Sequence, residues 1–239
     1  MDKKRSDFLC AAVERNKDLI RDAYEYIVHN PETGYREVKT HAYLASQFRK
    51  LGYELTEAGD IPGFTTLLDT GRPGPTIAVF GELDALLCTG HPFEDKSTGA
   101  AHACGHCCQS AGLLGLAAAL KEEGVLDRMN GKILLVTVPA EELIEVSYRK
   151  ELAKKGIIKY FGGKPEFLRR GLLDGVDISI MIHSASGVEP NVLYTYPGSD
   201  GCIAKVFTFK GVASHAGGSP DPHSAPFEDQ TRLNYLQCP

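Results

Sequence analysis

The stretch KILLVTVPAEE, residues 132–142, joins an apolar run to a pair of carboxylates and decides the fold. Its first part, 132–138, is continuously apolar and β-branched, which is typical of a strand covered on both faces. Glu141 and Glu142 follow this strand after a Pro-Ala turn. Because sites in α/β sheets form just beyond the carboxyl ends of the strands, we expect a functional site here.

Two other short runs end in the same way. TIAVF at 76–80 is followed by Gly-Glu-Leu-Asp84, and DISIMI at 177–182 is followed by His183. Apolar residues at helical spacing alternate with these strands, so the sequence predicts an α/β layered domain. The other predicted elements are a strand at 64–68 and helices at 7–29, 37–51, 110–121, 147–155 and 165–170.

The composition of the 239 residues excludes several classes of protein. Hydrophobic residues make up 43% and the net charge is −5, so the chain can form a core and is not disordered. Mild acidity argues against a nucleic-acid partner, and no apolar run reaches the roughly 18 residues of a membrane span. The first residues contain no apolar h-region, so we expect no signal peptide, and seven cysteines are an odd number, which favours reduced thiols or metal ligands. We therefore expect a cytoplasmic protein.

Potential metal ligands accumulate around the predicted strand ends. The loop His102-Ala-Cys104-Gly-His106 adds a thiol and two imidazoles to the two glutamates and to His183. Each residue alone has an ordinary structural explanation, but thiolate, imidazole and carboxylate together form a zinc-like ligand set. Ligands dispersed over several strands favour a catalytic site, where one of the adjacent glutamates binds metal and the other deprotonates metal-bound water.

These residues resemble the two-metal aminoacylase/carboxypeptidase family of peptidases and amidohydrolases. The most similar branch contains hippurate hydrolase, aminobenzoyl-glutamate hydrolase and auxin-conjugate hydrolases. The resemblance implies a layered, zinc-peptidase-like mixed sheet with flanking helices and a smaller α+β lid domain that mediates dimerisation. The motifs that carry it are HNPE at 29–32, GELDAL at 81–86, HACGH at 102–106, PAEE at 139–142, His183 and GVASHAG at 211–217.

The resemblance also implies a role for individual residues. The implied metal ligands are Cys104, which bridges two ions of Zn, Mn or Co, and His106, Glu142 and His183. The implied catalytic residues are Glu141 as general base, Asp84 as the carboxylate that orients His106 or His102, and His215 as the lid residue that stabilises the oxyanion. The implied reaction is hydrolysis of the amide bond of an N-acyl amino acid or dipeptide-like substrate.

Two features depart from the family pattern. Cys107, Cys108 and Gln109 stand where the branch commonly has Asp, a polar residue and His. Residues 1–187 correspond to the N-terminal part of the catalytic domain and 188–239 to the beginning of a lid that we expect to be truncated. We therefore expect about one tightly bound ion per chain and low turnover.

Two alternative functions remain open at this stage. The chain could be a non-catalytic metal-binding remnant or an interaction module. It could also be a thiol enzyme with Cys104 as nucleophile and a neighbouring histidine as base. The thiol hypothesis leaves Glu141, Glu142 and His183 without a role.

Overall fold

The computed structural model describes residues 3–185, which contain six α-helices and seven β-strands. The helices are α1 (Lys3–Arg15), α2 (Lys17–Val28), α3 (Val38–Lys50), α4 (His106–Leu120), α5 (Val146–Lys154) and α6 (Gly163–Arg169). The strands are β1 (Thr56–Glu57), β2 (Phe64–Asp69), β3 (Thr76–Glu82), β4 (Leu86–Leu87), β5 (Ala100–Ala101), β6 (Lys132–Val138) and β7 (Ile178–Ile180). No helix in this range is both long and apolar enough to cross a membrane.

Five strands form one mixed sheet in the order β1-β2-β6-β3-β7. β2 runs antiparallel to β6, whereas β3 is parallel to both β6 and β7. The carboxyl ends of β3, β6 and β7 therefore lie at one edge of the sheet. This arrangement confirms the predicted layered α/β fold with a mixed sheet and flanking helices.

Both faces of the central strand β6 are covered, as its continuous apolar run predicts. Leu135 lies in one apolar cluster, with Phe64 and the α4 residue Leu114. Its neighbour Val136 lies in a second cluster, with Phe80 and the α6 residue Phe167. Successive side chains of a strand point to opposite faces, so one strand contributes to both clusters. The glutamates that follow β6 are thus attached to a packed strand, whereas the residues of the edge strand β7 are exposed.

Two predicted boundaries were wrong. The single helix predicted at 7–29 is two helices, because the amide of Asn16 donates to the carbonyl of Ala12 at 2.9 Å and to the carboxylate of Glu122 at 2.8 Å. Side-chain bonds of this kind compete with helical backbone bonds. The helix predicted from 110 begins at His106 instead. The predicted lid, including His215, lies outside the described residues and its assignment stays a prediction.

Glu166 holds α6 in place and gives a prediction about stability. Its buried carboxylate accepts hydrogen bonds from the backbone N–H groups of Lys159 at 3.0 Å and Tyr160 at 3.1 Å, and from Arg170 at 3.0 Å. Burial alone would raise the pKa of Glu166, but these bonds and the one from Arg169 outweigh it and lower the pKa to about 2.

We expect Glu166→Gln to lower the free energy of unfolding at pH 7 by about 1.5–3 kcal/mol, the usual contribution of hydrogen bonds to a charged group. Because the folded pKa is depressed, this contribution is present above the ordinary pKa of 4.5 and is lost as pH falls towards 2. Denaturant titrations at several pH values should therefore show that the difference in unfolding free energy between the wild type and Glu166→Gln becomes smaller below pH 4.5. A difference in unfolding free energy that does not change with pH would contradict this assignment, and Glu123→Gln, at an exposed position, serves as control.

Candidate metal centre

Three predicted metal ligands meet at the parallel edge of the sheet. The ligand atoms of Cys104, His106 and His183 all lie within 4.8 Å of one another. Sγ of Cys104 is 3.2 Å from Nε2 of His183, and the two imidazole rings are 5.6 Å apart in an edge-to-face arrangement. One thiol and two imidazoles at this spacing fit a single transition-metal ion.

The backbone orients both imidazoles towards the cluster. Nδ1 of His106 lies 2.8 Å from the carbonyl oxygen of Asp84, and Nδ1 of His183 lies 2.7 Å from the carbonyl oxygen of Ser184. A ring nitrogen that donates to a carbonyl fixes the tautomer and leaves the other nitrogen free to bind metal. Each ring therefore presents Nε2 to the cluster.

A second group of ligand atoms shares His106. Oε2 of Glu82 lies 3.1 Å from Nε2 of His106, and Oε2 of Glu141 lies 3.9 Å from it. Lys164 of α6 pairs with the other oxygen of Glu82 and is 3.7 Å from Oε1 of Glu141. A lysine ammonium already neutralises this second group in part.

Asp84 connects the histidine to the pair of glutamates. Its buried carboxylate has one oxygen 3.4 Å from Nδ1 of His106, and the other accepts the backbone N–H of Glu142 at 2.9 Å. Asp84 thus lies beside His106, one of the two histidines that the sequence left open. The other, His102, is buried, and neither of its ring nitrogens has a hydrogen-bond partner among residues 3–185.

Glu142 lies next to Cys104 but outside both groups of close ligand atoms. Burial, a hydrogen bond to Glu142 and nearby carboxylates raise the pKa of the Cys104 thiol to about 12. A nucleophilic cysteine needs a lowered pKa, so this environment argues against a thiol enzyme. A thiol surrounded by carboxylates ionises only when a cation joins it.

His106 is the centre of the charge distribution. Burial lowers its pKa, but Asp84 and Glu82 outweigh that effect and raise the pKa to about 11. Nε2 of His106 and Oε2 of Glu82 are buried and face each other at 3.1 Å. Once His106 loses its proton, an imidazole nitrogen and a carboxylate oxygen share a buried site, and this donor set fits a cation.

Sequence reasoning missed several residues around the centre. The sequence pattern indicates no role for Glu82 or for Lys164. Gln109, the departure from the family pattern, accepts the backbone N–H of Glu82 and donates to the carbonyl of Ile182 at 2.9 Å. It thereby links the ends of β3 and β7. Of its neighbours, Cys107 is buried in the core and Cys108 is exposed.

The mixed sheet and the ligand groups at its parallel edge define a zinc-peptidase-like protein. Residues 78–204, more than half of the chain, match the model of Peptidase family M20/M25/M40. The chain belongs to this family, which confirms the resemblance found in the sequence.

Individual relatives agree with this assignment. The chain is 31% identical to the indole-3-acetyl-aspartic acid hydrolase of Enterobacter agglomerans, over 81% of the chain and 51% of the relative. It is also 31% identical to thermostable carboxypeptidase 2 of Saccharolobus solfataricus, over 90% of the chain and 52% of the relative. The chain therefore spans about half the length of these relatives. The fold is similar to that of a dinuclear metal-binding M20 peptidase from Bacillus subtilis, with a TM-score of 0.56, 24% identity and coverage of 74% of this chain and 44% of that one.

Proposed function

We propose that the protein is a metal-dependent amidohydrolase or peptidase that cleaves the amide bond of N-acyl amino acids or dipeptide-like substrates. The observation that carries this proposal is the close grouping of Cys104, His106 and His183 beside the glutamate pair. The related indole-3-acetyl-aspartic acid hydrolase and carboxypeptidase support the same substrate class. The substrate would be a small molecule, and a cytoplasmic location fits the free cysteines of the described residues.

Four side chains would hold the metal in this proposal: Cys104, His106, Glu142 and His183. Zn, Mn and Co all suit such a mixed set of ligands. When bound, the metal would polarise the substrate carbonyl and make water a stronger acid. Asp84 holds both His106 and the backbone of Glu142, so it would fix the distance between two of the ligands.

Glu141 would serve as the general base. Its side chain is 36% exposed, and burial together with the charge of Glu82 raises its pKa. A partly exposed carboxylate with a raised pKa suits a group that takes and returns a proton near neutral pH. His215 would stabilise the oxyanion from a lid that could form a homodimer, as the family resemblance implies.

The decisive test is metal content combined with hydrolysis of acetyl-, benzoyl- and aminobenzoyl-amino acids and dipeptides. We expect about one tightly bound divalent ion per chain, because Lys164 already neutralises part of the second ligand group. Removal of the ion by a chelator should abolish hydrolysis, and addition of Zn, Mn or Co should restore it. Bound metal without any hydrolysis would favour the non-catalytic alternative. Hydrolysis that survives complete metal removal would refute the proposal.

A further inference from the structure

The backbone of residues 139–142, here called the glutamate turn, is held by three buried ionisable side chains. Glu37 accepts the backbone N–H of Ala140 at 2.7 Å, and Asp84 accepts that of Glu142 at 2.9 Å. Arg149 of α5 donates to the carbonyl oxygen of Glu142 and, at 3.5 Å, to that of Ala140, which also accepts the backbone N–H of Gly163 at 3.1 Å. The N–H and C=O groups on either side of Glu141 are thus all engaged.

The three side chains come from separate parts of the chain and are all 0% exposed. Glu37 precedes α3, Asp84 follows β3, and Arg149 lies in α5. Local sequence marks none of them as a partner of the glutamate turn. Their convergence on four consecutive residues indicates a specific local constraint.

Arg149 is the least expected of the three. Within residues 3–185 its guanidinium forms no ion pair, and its hydrogen bonds go to main-chain carbonyls, including that of Phe161 at 2.5 Å. Burial of a guanidinium is costly, and an apolar side chain would fill the same space at lower cost. Its donors, however, are spread over separate nitrogens of a rigid plane, so Nη1 and Nη2 reach different carbonyls, whereas a lysine has a single nitrogen.

The glutamate turn also has a backbone conformation that needs support. Ala140 has φ = 55°, in the left-handed region where residues with a Cβ are strained by about 1–2 kcal/mol. Glu37 and Arg149 bind the N–H and C=O of this same residue. A strained backbone conformation persists only when several surrounding contacts hold it in place.

We propose that Arg149 is a positioning residue that presets the glutamate turn, so that Glu141 and Glu142 face the ligand cluster before a metal ion binds. This inference rests on the proposed function and deepens it. Arg149 acts through the backbone of the glutamates and binds neither metal nor substrate.

The test compares Arg149→Lys and Arg149→Met with Leu152→Ala, a control on the same helix. Leu152 is buried in the second apolar cluster, so its truncation destabilises α5 without removing a donor to the glutamate turn. The readout is the dissociation constant for Zn²⁺, measured by competition with a chelator on each folded, full-length variant. Folding is verified by circular dichroism, and Arg149→Lys, which keeps the charge, decides the question if Arg149→Met does not fold.

We expect both Arg149 variants to bind Zn²⁺ about 10–100-fold more weakly than the wild type, as is usual when a support of a metal ligand is lost. Leu152→Ala should lower the melting temperature but keep the wild-type affinity. Unchanged affinity in Arg149→Lys, or an equal loss in Leu152→Ala, would overturn the inference. A wild-type protein that binds no Zn²⁺ would instead overturn the proposed function, so the two failures are distinguishable.

Discussion

Glu141→Gln is expected to abolish hydrolysis while the protein still binds its metal. Glutamine keeps the shape of the side chain, and its amide can still face His106 and Lys164, but it cannot accept a proton. Loss of a general base usually lowers kcat by about 10²–10⁴-fold. The expected result is a fall in kcat of this size with KM and metal content near the wild-type values, measured by steady-state kinetics and by elemental analysis.

Two control variants make this prediction specific. Glu142→Gln should lose metal affinity as well as activity, because we assign Glu142 as a ligand. Glu123→Gln, at an exposed position, should change neither quantity. The ligand atoms of Glu141 also lie close to those of Glu82 and His106, so Glu141 could instead bind an ion. Equal loss of metal in Glu141→Gln and Glu142→Gln would show that it does and would exclude the role of general base.

The sheet was predictable because its strands carry a local signal. β6 is apolar on both faces, and the polar residues that follow it have to leave the sheet at its carboxyl end. The same reasoning places Asp84 after β3 and His183 after β7, and the parallel pairing of the three strands brings these residues to one edge. The contacts that the sequence does not predict are those between residues distant in sequence.

Lys164 and Arg149 illustrate this limit. Both lie on short helices whose local sequence contains ordinary surface-type charges, and neither belongs to a recognisable motif. Lys164 meets Glu82 across 82 residues of sequence, and Glu37 meets Ala140 across 103. Nothing in the pattern of either helix indicates such a partner. The break at Asn16 has the same origin, since its amide binds Glu122, 106 residues further on.

Charge balance explains why the missed residues matter. The centre gathers the carboxylates of Glu82, Asp84, Glu141 and Glu142 in a small volume, and like charges at this distance repel one another strongly. His106 and Lys164 neutralise part of this charge in the ion-free protein. A divalent cation would supply the rest, which agrees with the buried donor atoms that His106 and Glu82 place side by side.

Cys104→Ser is expected to remove the tightly bound ion. Serine has nearly the same shape, but its hydroxyl is a far weaker acid than a thiol and cannot supply the soft anionic ligand that zinc favours. Loss of a residue that only hydrogen-bonds to a metal ligand usually weakens binding by about 10–100-fold. Loss of a ligand itself should cost more, so we expect the affinity for Zn²⁺ to fall by at least about 100-fold. Cys108→Ser, four residues further along the chain and exposed, should bind Zn²⁺ as the wild type does.

The pH dependence of binding gives a sharper form of this prediction. In the ion-free protein the pKa of Cys104 is raised to about 12 and that of His106 to about 11, so both groups carry a proton at neutral pH. Each has to release that proton to bind metal, and protons therefore compete with the ion. The affinity of the wild type should rise with pH by about two powers of ten per unit, one for each proton. In Cys104→Ser one of the two protons is no longer involved, so the slope should fall to about one. An unchanged slope in that variant would mean that binding does not release the proton of the Cys104 thiol. Cys104 would then not be a ligand.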